Sequence, residues 1–277
     1  MTDEEVKLDI IVPTHGKLDM TMKCLDAIYA YTSTPFHLIV VDDSTDLTPI
    51  YMADVRMRAG NVTYIHSDKP YKSGNQFFNI GIKHSRTPYI ATIMNSVVVE
   101  PEWEIEALKL MESNSKIGII GFKCLFPNGK IESAGIHMAK WLPCDIGRDL
   151  PSHRLPGIYE VDAVQWAFAL LRKEAVEGNL DENLFNGFKG VDDIDNCFVV
   201  KKKGWEIWYC GYGVGYHTPK ATRQDNTLDG KTLNAQNMEK FYRRWGYWED
   251  FQKELKGITQ EDLIHQMPDM KLAGKLR

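Results

Sequence analysis

Short apolar, β-branched runs recur along the first half of the chain, at Leu8–Val12, Phe36–Val41, Val62–His66, Tyr89–Met94 and Ile117–Phe122. Their spacing of roughly 27 residues is that of one strand plus a crossover helix. Two intervening stretches carry helical periodicity. Asp19–Tyr31 sets Met22, Leu25, Ile28 and Tyr29 on one face, and Glu102–Ser113 does the same with Trp103, Ala107, Leu108 and Met111. Near-continuous apolar strands alternating with amphipathic helices predict an α/β fold with a mostly parallel sheet covered on both faces.

Beyond Lys123 the alternation loosens. Pro127-Asn128-Gly129 predicts a hairpin turn, and Leu142–Pro156, rich in proline and charge, a long loop. An apolar run follows at Val161–Leu171, then a helix over Asp192–Lys203 and a strand over Trp205–Tyr209. A glycine-rich stretch, Gly211 to Gly215, leads to Tyr216-His217. The tail from Leu233 to Met267 predicts two or three helices bearing Phe241, Tyr242, Trp245, Trp248 and Phe251.

In sheets of this kind ligands bind beyond the carboxyl ends of the strands. Three polar segments stand there: Pro13-Thr14-His15-Gly16, Asp42 to Asp46, and Asn95-Ser96. Each alone reads as a loop or helix cap; together on one edge they mark a site.

Composition narrows the partners. The 277 residues suit one large domain or two small ones. A formal net charge of −5 argues against a protein that coats nucleic acid. Five scattered cysteines without a C-x-x-C pair suggest neither a disulfide framework nor a structural zinc site. No apolar run approaches the roughly 20 residues of a membrane span. The acidic start, Met1 to Glu5, is unlike a secretion signal, so a cytoplasmic location is expected.

Several catalytic signatures are absent. Gly230-Lys231-Thr232 resembles the end of a P-loop, but its upstream glycine position holds Asp225. The glycines at 211, 213 and 215 do not form G-x-G-x-x-G, and there is no H-E-x-x-H or G-x-S-x-G.

Four segments in order, IIVPTHG, LIVVDDSTD, SGNQFFNIGIKHSRTPYIATIMNSVVVEPEW and FNGFKGVDDIDNCFVVKKKGWEIWYCGYGVGYH, resemble the family 2 glycosyltransferases. The resemblance runs from Leu8 to His217. It implies a GT-A-like, Rossmann-type sandwich over residues 1–220, with a nucleotide-binding half (1–122) and an acceptor-side half (123–220). Residues 221–277 would form a helical C-terminal extension. It implies inverting transfer of a sugar from a nucleotide-sugar donor, most often UDP-linked, to an acceptor hydroxyl.

The resemblance also distributes roles. Pro13, Thr14 and His15 would meet the nucleotide base, and Asp42 and Asp43 the base or ribose. Lys72, Gly74 and Asn79 would lie near the nucleotide, with Lys69 or Lys72 opposing phosphate charge. Within Asp192-Asp193-Ile194-Asp195, Asp193 would be the general base, Asp192 the second candidate and Asp195 an orienting residue. Lys220 and Arg223 would close over the diphosphate. Where the family carries Asp-x-Asp, the chain reads Asn95-Ser96-Val97, so the metal-binding acid is replaced by Val97. A divalent cation, Mn²⁺ or Mg²⁺, would then be held only weakly, through Asn95 and His217. The rivals to catalysis are a weakened or inactive nucleotide- or glycan-binding module and an assembly subunit docking through its aromatic tail. The C-terminal helices would complete the acceptor site or make a homo-oligomer.

Overall fold

The computed structural model describes residues 6–187, 191–219 and 228–254. The first half alternates as the periodicity predicts: β1 (Leu8–Thr14), α1 (Leu18–Tyr31), β2 (Phe36–Asp42), α2 (Thr48–Ala59), β3 (Val62–His66), α3 (Gly74–His84) and β4 (Tyr89–Ile93). Next come β5 (Val97–Val99), α4 (Ile105–Ser113) and β6 (Ile117–Leu125). The second half holds β7 (Ile131–Ser133), β8 (Ile136–Ala139), β9 (Leu142–Asp145), β10 (Ile158–Glu160), β11 (Phe168–Arg172), α5 (Lys173–Val176), α6 (Asp192–Lys202) and β12 (Glu206–His217). The helices α7 (Leu228–Trp245) and α8 (Trp248–Glu254) follow.

Ten strands form one sheet, with the main order β10-β12-β6-β11-β4-β1-β2-β3. Strands β1, β2, β3, β4, β6 and β12 all run the same way, while β5, β7, β10 and β11 run against them. Successive side chains of a strand leave opposite faces, and both faces are filled. Leu8, Ile10 and Val12 of β1 join a core with Cys24, Leu25 and Ile28 of α1, Met52 of α2 and Met111 of α4. Ile11 joins the opposite core, with Phe77 of α3, Cys197 of α6 and Phe241 of α7. Every residue of β1 is buried, which explains its near-continuous apolar reading around Asp9.

Several sequence boundaries need correction. Pro13 and Thr14 are not a turn; they end β1, paired with Val41 and Asp42. The strand expected over Trp205–Tyr209 continues through the glycine-rich stretch as β12, which runs to His217 with a register shift between Cys210 and Val214. Glycine is required there by close approach: a β-carbon on Gly213 would lie 2.2 Å from the Phe122 ring and 2.5 Å from the Trp103 carbonyl. The stretch read as a long loop contains β9, paired with β8. Pro143 hid it, yet proline is tolerated in a two-stranded ribbon, where each strand is an edge. Of the run Val161–Leu171, only Phe168 onwards is strand.

The aromatic tail packs within the chain. Phe241 and Tyr242 are fully buried. Trp245 meets Phe198 of α6 edge-on at 5.2 Å, and Trp141, in the turn between β8 and β9, meets Tyr242 at 5.7 Å and Phe251 at 5.0 Å. Among the described residues no helix is long and apolar enough to cross a membrane.

Candidate active site

The same-direction strands all end on one edge, and the polar segments converge there. Asp42 and Asp43, at the end of β2, are both buried. Asp42 is saturated. Its Oδ1 accepts from the Ser44 N–H at 2.9 Å and from the Ser44 hydroxyl, and its Oδ2 from the Tyr64 hydroxyl at 2.6 Å and His66 Nδ1 at 3.1 Å. A carboxylate offers about four acceptor positions, so Asp42 braces β3 and the loop with all of them.

Asp43 is less committed. Its Oδ1 lies 2.6 Å from His15 Nδ1, and its Oδ2 accepts the Tyr71 N–H at 2.7 Å. Hydrogen bonding to Asp43 raises the His15 pKa above its ordinary value, against the opposing effect of burial. Asp43 thus ties the loop after β1 to the loop before α3. Gly16 N–H donates to the Ser44 hydroxyl at 2.6 Å, and the Gly16 carbonyl accepts from Asn95 Nδ2 at 3.1 Å. The same Nδ2 reaches Thr21 at 3.0 Å, so the Asn95 amide nitrogen is spent on scaffolding.

The α3 residues are largely structural. Asn79 donates to the Leu180 carbonyl at 3.0 Å and the Glu182 carboxylate at 2.8 Å. Asn75 and Asn196 exchange amide hydrogen bonds of 3.1 and 2.7 Å, joining α3 to α6. Gly74, expected to make room for the nucleotide, makes room for Asp192: a β-carbon there would stand 2.7 Å from Asp192 Oδ2. Lys69 and Lys72 are exposed.

The three acids opening α6 have three different surroundings. Asp192 is buried over the first turn of α3. Asp195 is buried against α7, where its Oδ1 accepts from Trp245 Nε1 at 2.7 Å and its Oδ2 lies 3.2 Å from Arg244. Burial raises its pKa, against the pull of Trp245 and Arg244. Asp193 alone is partly exposed, with Oδ2 held by the Trp166 N–H at 3.0 Å. Trp166 lies just before β11, whose start is on the same sheet edge.

His217 ends β12 beside Val97. The Thr218 N–H donates to the Ser96 carbonyl at 3.0 Å, and His217 Nδ1 lies 2.7 Å from Glu132 Oε2. Val97 is fully buried and offers no donor. The Asn95 amide oxygen and the His217 imidazole that remain are too few to hold a cation by protein atoms alone. Among the described residues no three His, Cys, Asp or Glu side chains cluster as a metal site would need. Lys220 and Arg223 lie outside the described residues.

Sequence reasoning missed Tyr64, His66 and Glu132. His66 ends β3 on the same edge as Asp42, so the strand-end rule that singled out Asp42 could have found it. Glu132 sits in a three-residue strand and carried no motif.

Residues 9–138 match the family model for glycosyl transferase family 2. An uncharacterized protein, y4gI, of Sinorhizobium fredii (strain NBRC 101917 / NGR234) is 24% identical over 252 residues, covering 86% of this chain and 27% of its own length. Similar solved structures include GalNAc-T7 with UDP, GalNAc and Mn²⁺ (TM-score 0.68, 11% identity, 89% of this chain and 50% of that one). Another is the mannosyltransferase PcManGT of Pyrobaculum calidifontis with GDP-Man and Mn²⁺ (TM-score 0.62, 16% identity, 87% and 65%). TarS of S. aureus is a third (TM-score 0.58, 17% identity, 83% and 39%). The chain therefore spans from about a quarter to about two thirds of the length of these proteins. Over residues 9–138 the chain is similar to the family 2 glycosyltransferases, and its fold is GT-A-like.

Proposed function

We propose that the chain is an inverting glycosyltransferase that moves a sugar from a nucleotide-sugar, UDP-linked in the first instance, to an acceptor hydroxyl. The observation that carries this reading is Asp193. It is the one partly exposed acid of the α6 motif, and a backbone N–H anchors one oxygen while the other makes no hydrogen bond among the described residues. The acceptor hydroxyl attacks the anomeric carbon from the face opposite the leaving group. Its proton passes to Asp193, and the bond from the anomeric carbon to the phosphate oxygen breaks with its electron pair on the diphosphate. His15 and Asp43 hold the nucleoside end of the donor, with the Pro13-Thr14 backbone beneath; Ser96 and His217 face the diphosphate. Residues 1–122 serve the donor, residues 123–220 the acceptor, and the C-terminal helices buttress α6.

Asp193→Asn tests the assignment. It removes the base but keeps an oxygen for the Trp166 N–H, so turnover falls on the order of 10²–10⁴-fold while donor affinity and melting temperature hold. Unchanged turnover removes Asp193 from the mechanism.

Val97 favours a second reading, a donor-binding module without turnover. A panel of nucleotide sugars separates the two. Release of nucleoside diphosphate by the wild type, lost in Asp193→Asn, supports transfer; tight binding without release supports the silent module.

A further inference from the structure

We infer that Glu132 is a positioning residue for the donor diphosphate, acting through His217. The inference rests on the donor-site reading above. Glu132 is 4% exposed, between the buried residues Ile131 and Ser133 on β7. A buried carboxylate is costly unless partnered, and the ion pair the structure gives Glu132 is with His217, Nδ1 to Oε2 at 2.7 Å. No scaffold demand explains an acid here, since β7 is a three-residue strand paired with β6 through its backbone.

The effect on the imidazole is specific. Against a carboxylate, Nδ1 carries the proton, and the ring is fixed in one orientation. Nε2, on the far side of the ring, makes no hydrogen bond among the described residues. His217 is pinned to the sheet edge by the Val97 pairing and by the neighbouring Thr218–Ser96 hydrogen bond. Ser96 follows Asn95, which holds the Gly16 carbonyl in the loop that also carries His15. The oriented Nε2 therefore belongs to the same edge as the nucleoside-binding pair His15 and Asp43. A ring so held presents one atom to the anionic end of the donor: Nε2–H of the doubly protonated ring donates to a diphosphate oxygen, whereas the Nε2 lone pair of the singly protonated ring meets a cation that the nucleotide brings with it.

Calorimetry with UDP and GDP, each compared with its nucleoside, tests this in EDTA and in Mn²⁺. Glu132→Ala and His217→Ala each weaken nucleoside diphosphate binding by roughly tenfold to a hundredfold, the range for losing a hydrogen bond to a charged group. The double variant is no weaker than His217→Ala, and Glu132→Gln, which keeps an acceptor for Nδ1, recovers part of the affinity. Nucleoside binding does not change, whereas a merely structural role would weaken nucleoside and diphosphate alike. ¹⁵N spectra of labelled histidine add a second readout: His217 is protonated on Nδ1, and its Nε2 signal moves with UDP but not with uridine. Coupling already present in EDTA means direct contact; coupling only in Mn²⁺ means contact through the nucleotide-borne cation. Diphosphate binding that Asp43→Ala weakens, but Glu132→Ala and His217→Ala leave untouched, overturns the roles of Glu132 and His217 and leaves the rest of the donor-site reading standing. No binding of either diphosphate by the wild type overturns the donor-site reading and this inference with it.

Discussion

Asp195, in the first turn of α6, receives the Trp245 indole N–H at 2.7 Å from the last turn of α7. One acid of the signature motif is therefore a latch for the C-terminal helices. The same α7 is held by Asn237 and Lys240, which bond to Asn186 and to the Leu184 carbonyl. Trp245→Phe keeps the ring against Phe198 but removes the donor, leaving a buried carboxylate with Arg244 as its remaining partner. Stability should fall by about 1–3 kcal/mol, the usual cost of unpairing a buried polar group. Urea unfolding checks this, and turnover per folded molecule should change far less than in Asp193→Asn.

Gly74 and Asp192 make the second pair. With the ideal β-carbon 2.7 Å from Asp192 Oδ2, Gly74→Ala displaces a buried carboxylate from the first turn of α3. The variant should melt at a lower temperature than the wild type. The pair should also be non-additive: combined with Asp192→Ala, Gly74→Ala should cost much less than in the wild-type background. Additive losses in the double-mutant cycle would mean that the two residues do not share the space.

Much of this architecture was legible because strand burial and helix amphipathicity are local signals. The alternation from Leu8 to Phe122 follows from them directly. What stayed hidden depends on partners distant in sequence. Asp42 and Asp43 look identical as neighbours, yet one is saturated by Ser44, Tyr64 and His66 while the other keeps capacity. Asp192, Asp193 and Asp195 likewise read as one motif, and only packing against α3, Trp166 and α7 separates them. Glycines at 74 and 213 mark close approach in the sequence without naming the group approached. The tail's aromatic residues, at helical spacing, read as packing more than as a sugar platform, and the structure buries Phe241 and Tyr242.

Asp9 sets an acid limit on stability. Burial alone would raise its pKa, but hydrogen bonds from His37, Thr87 and Ser85 outweigh that and hold the carboxyl well below its ordinary 3.8. A depressed native pKa contributes stability above the unfolded value and loses it as pH falls through the native one. Unfolding free energy should therefore drop steadily below about pH 4. In Asp9→Asn the protein should be less stable at neutral pH and should show a flatter acid limb. A parallel acid limb in the two proteins would assign the loss to other carboxylates.

The His15–Asp43 contact makes the opposite prediction. Hydrogen bonding to Asp43 raises the His15 pKa above 6.5, so the protonated ring is the form that folding favours. The pair's contribution to stability is complete below the unfolded value and disappears as pH rises through the higher folded one. An NMR titration of His15 should give a midpoint above 6.5 in the wild type and one closer to it in Asp43→Asn. If the pair also seats the nucleoside, uridine affinity should weaken over the pH interval in which His15 loses its proton, and Asp43→Asn should flatten that profile. His15 is part-exposed, so the stability change will be small and screened by salt. The binding profile is therefore the sharper measurement: a pH-independent uridine affinity in the wild type, despite a raised His15 midpoint, would separate the contact from nucleoside recognition.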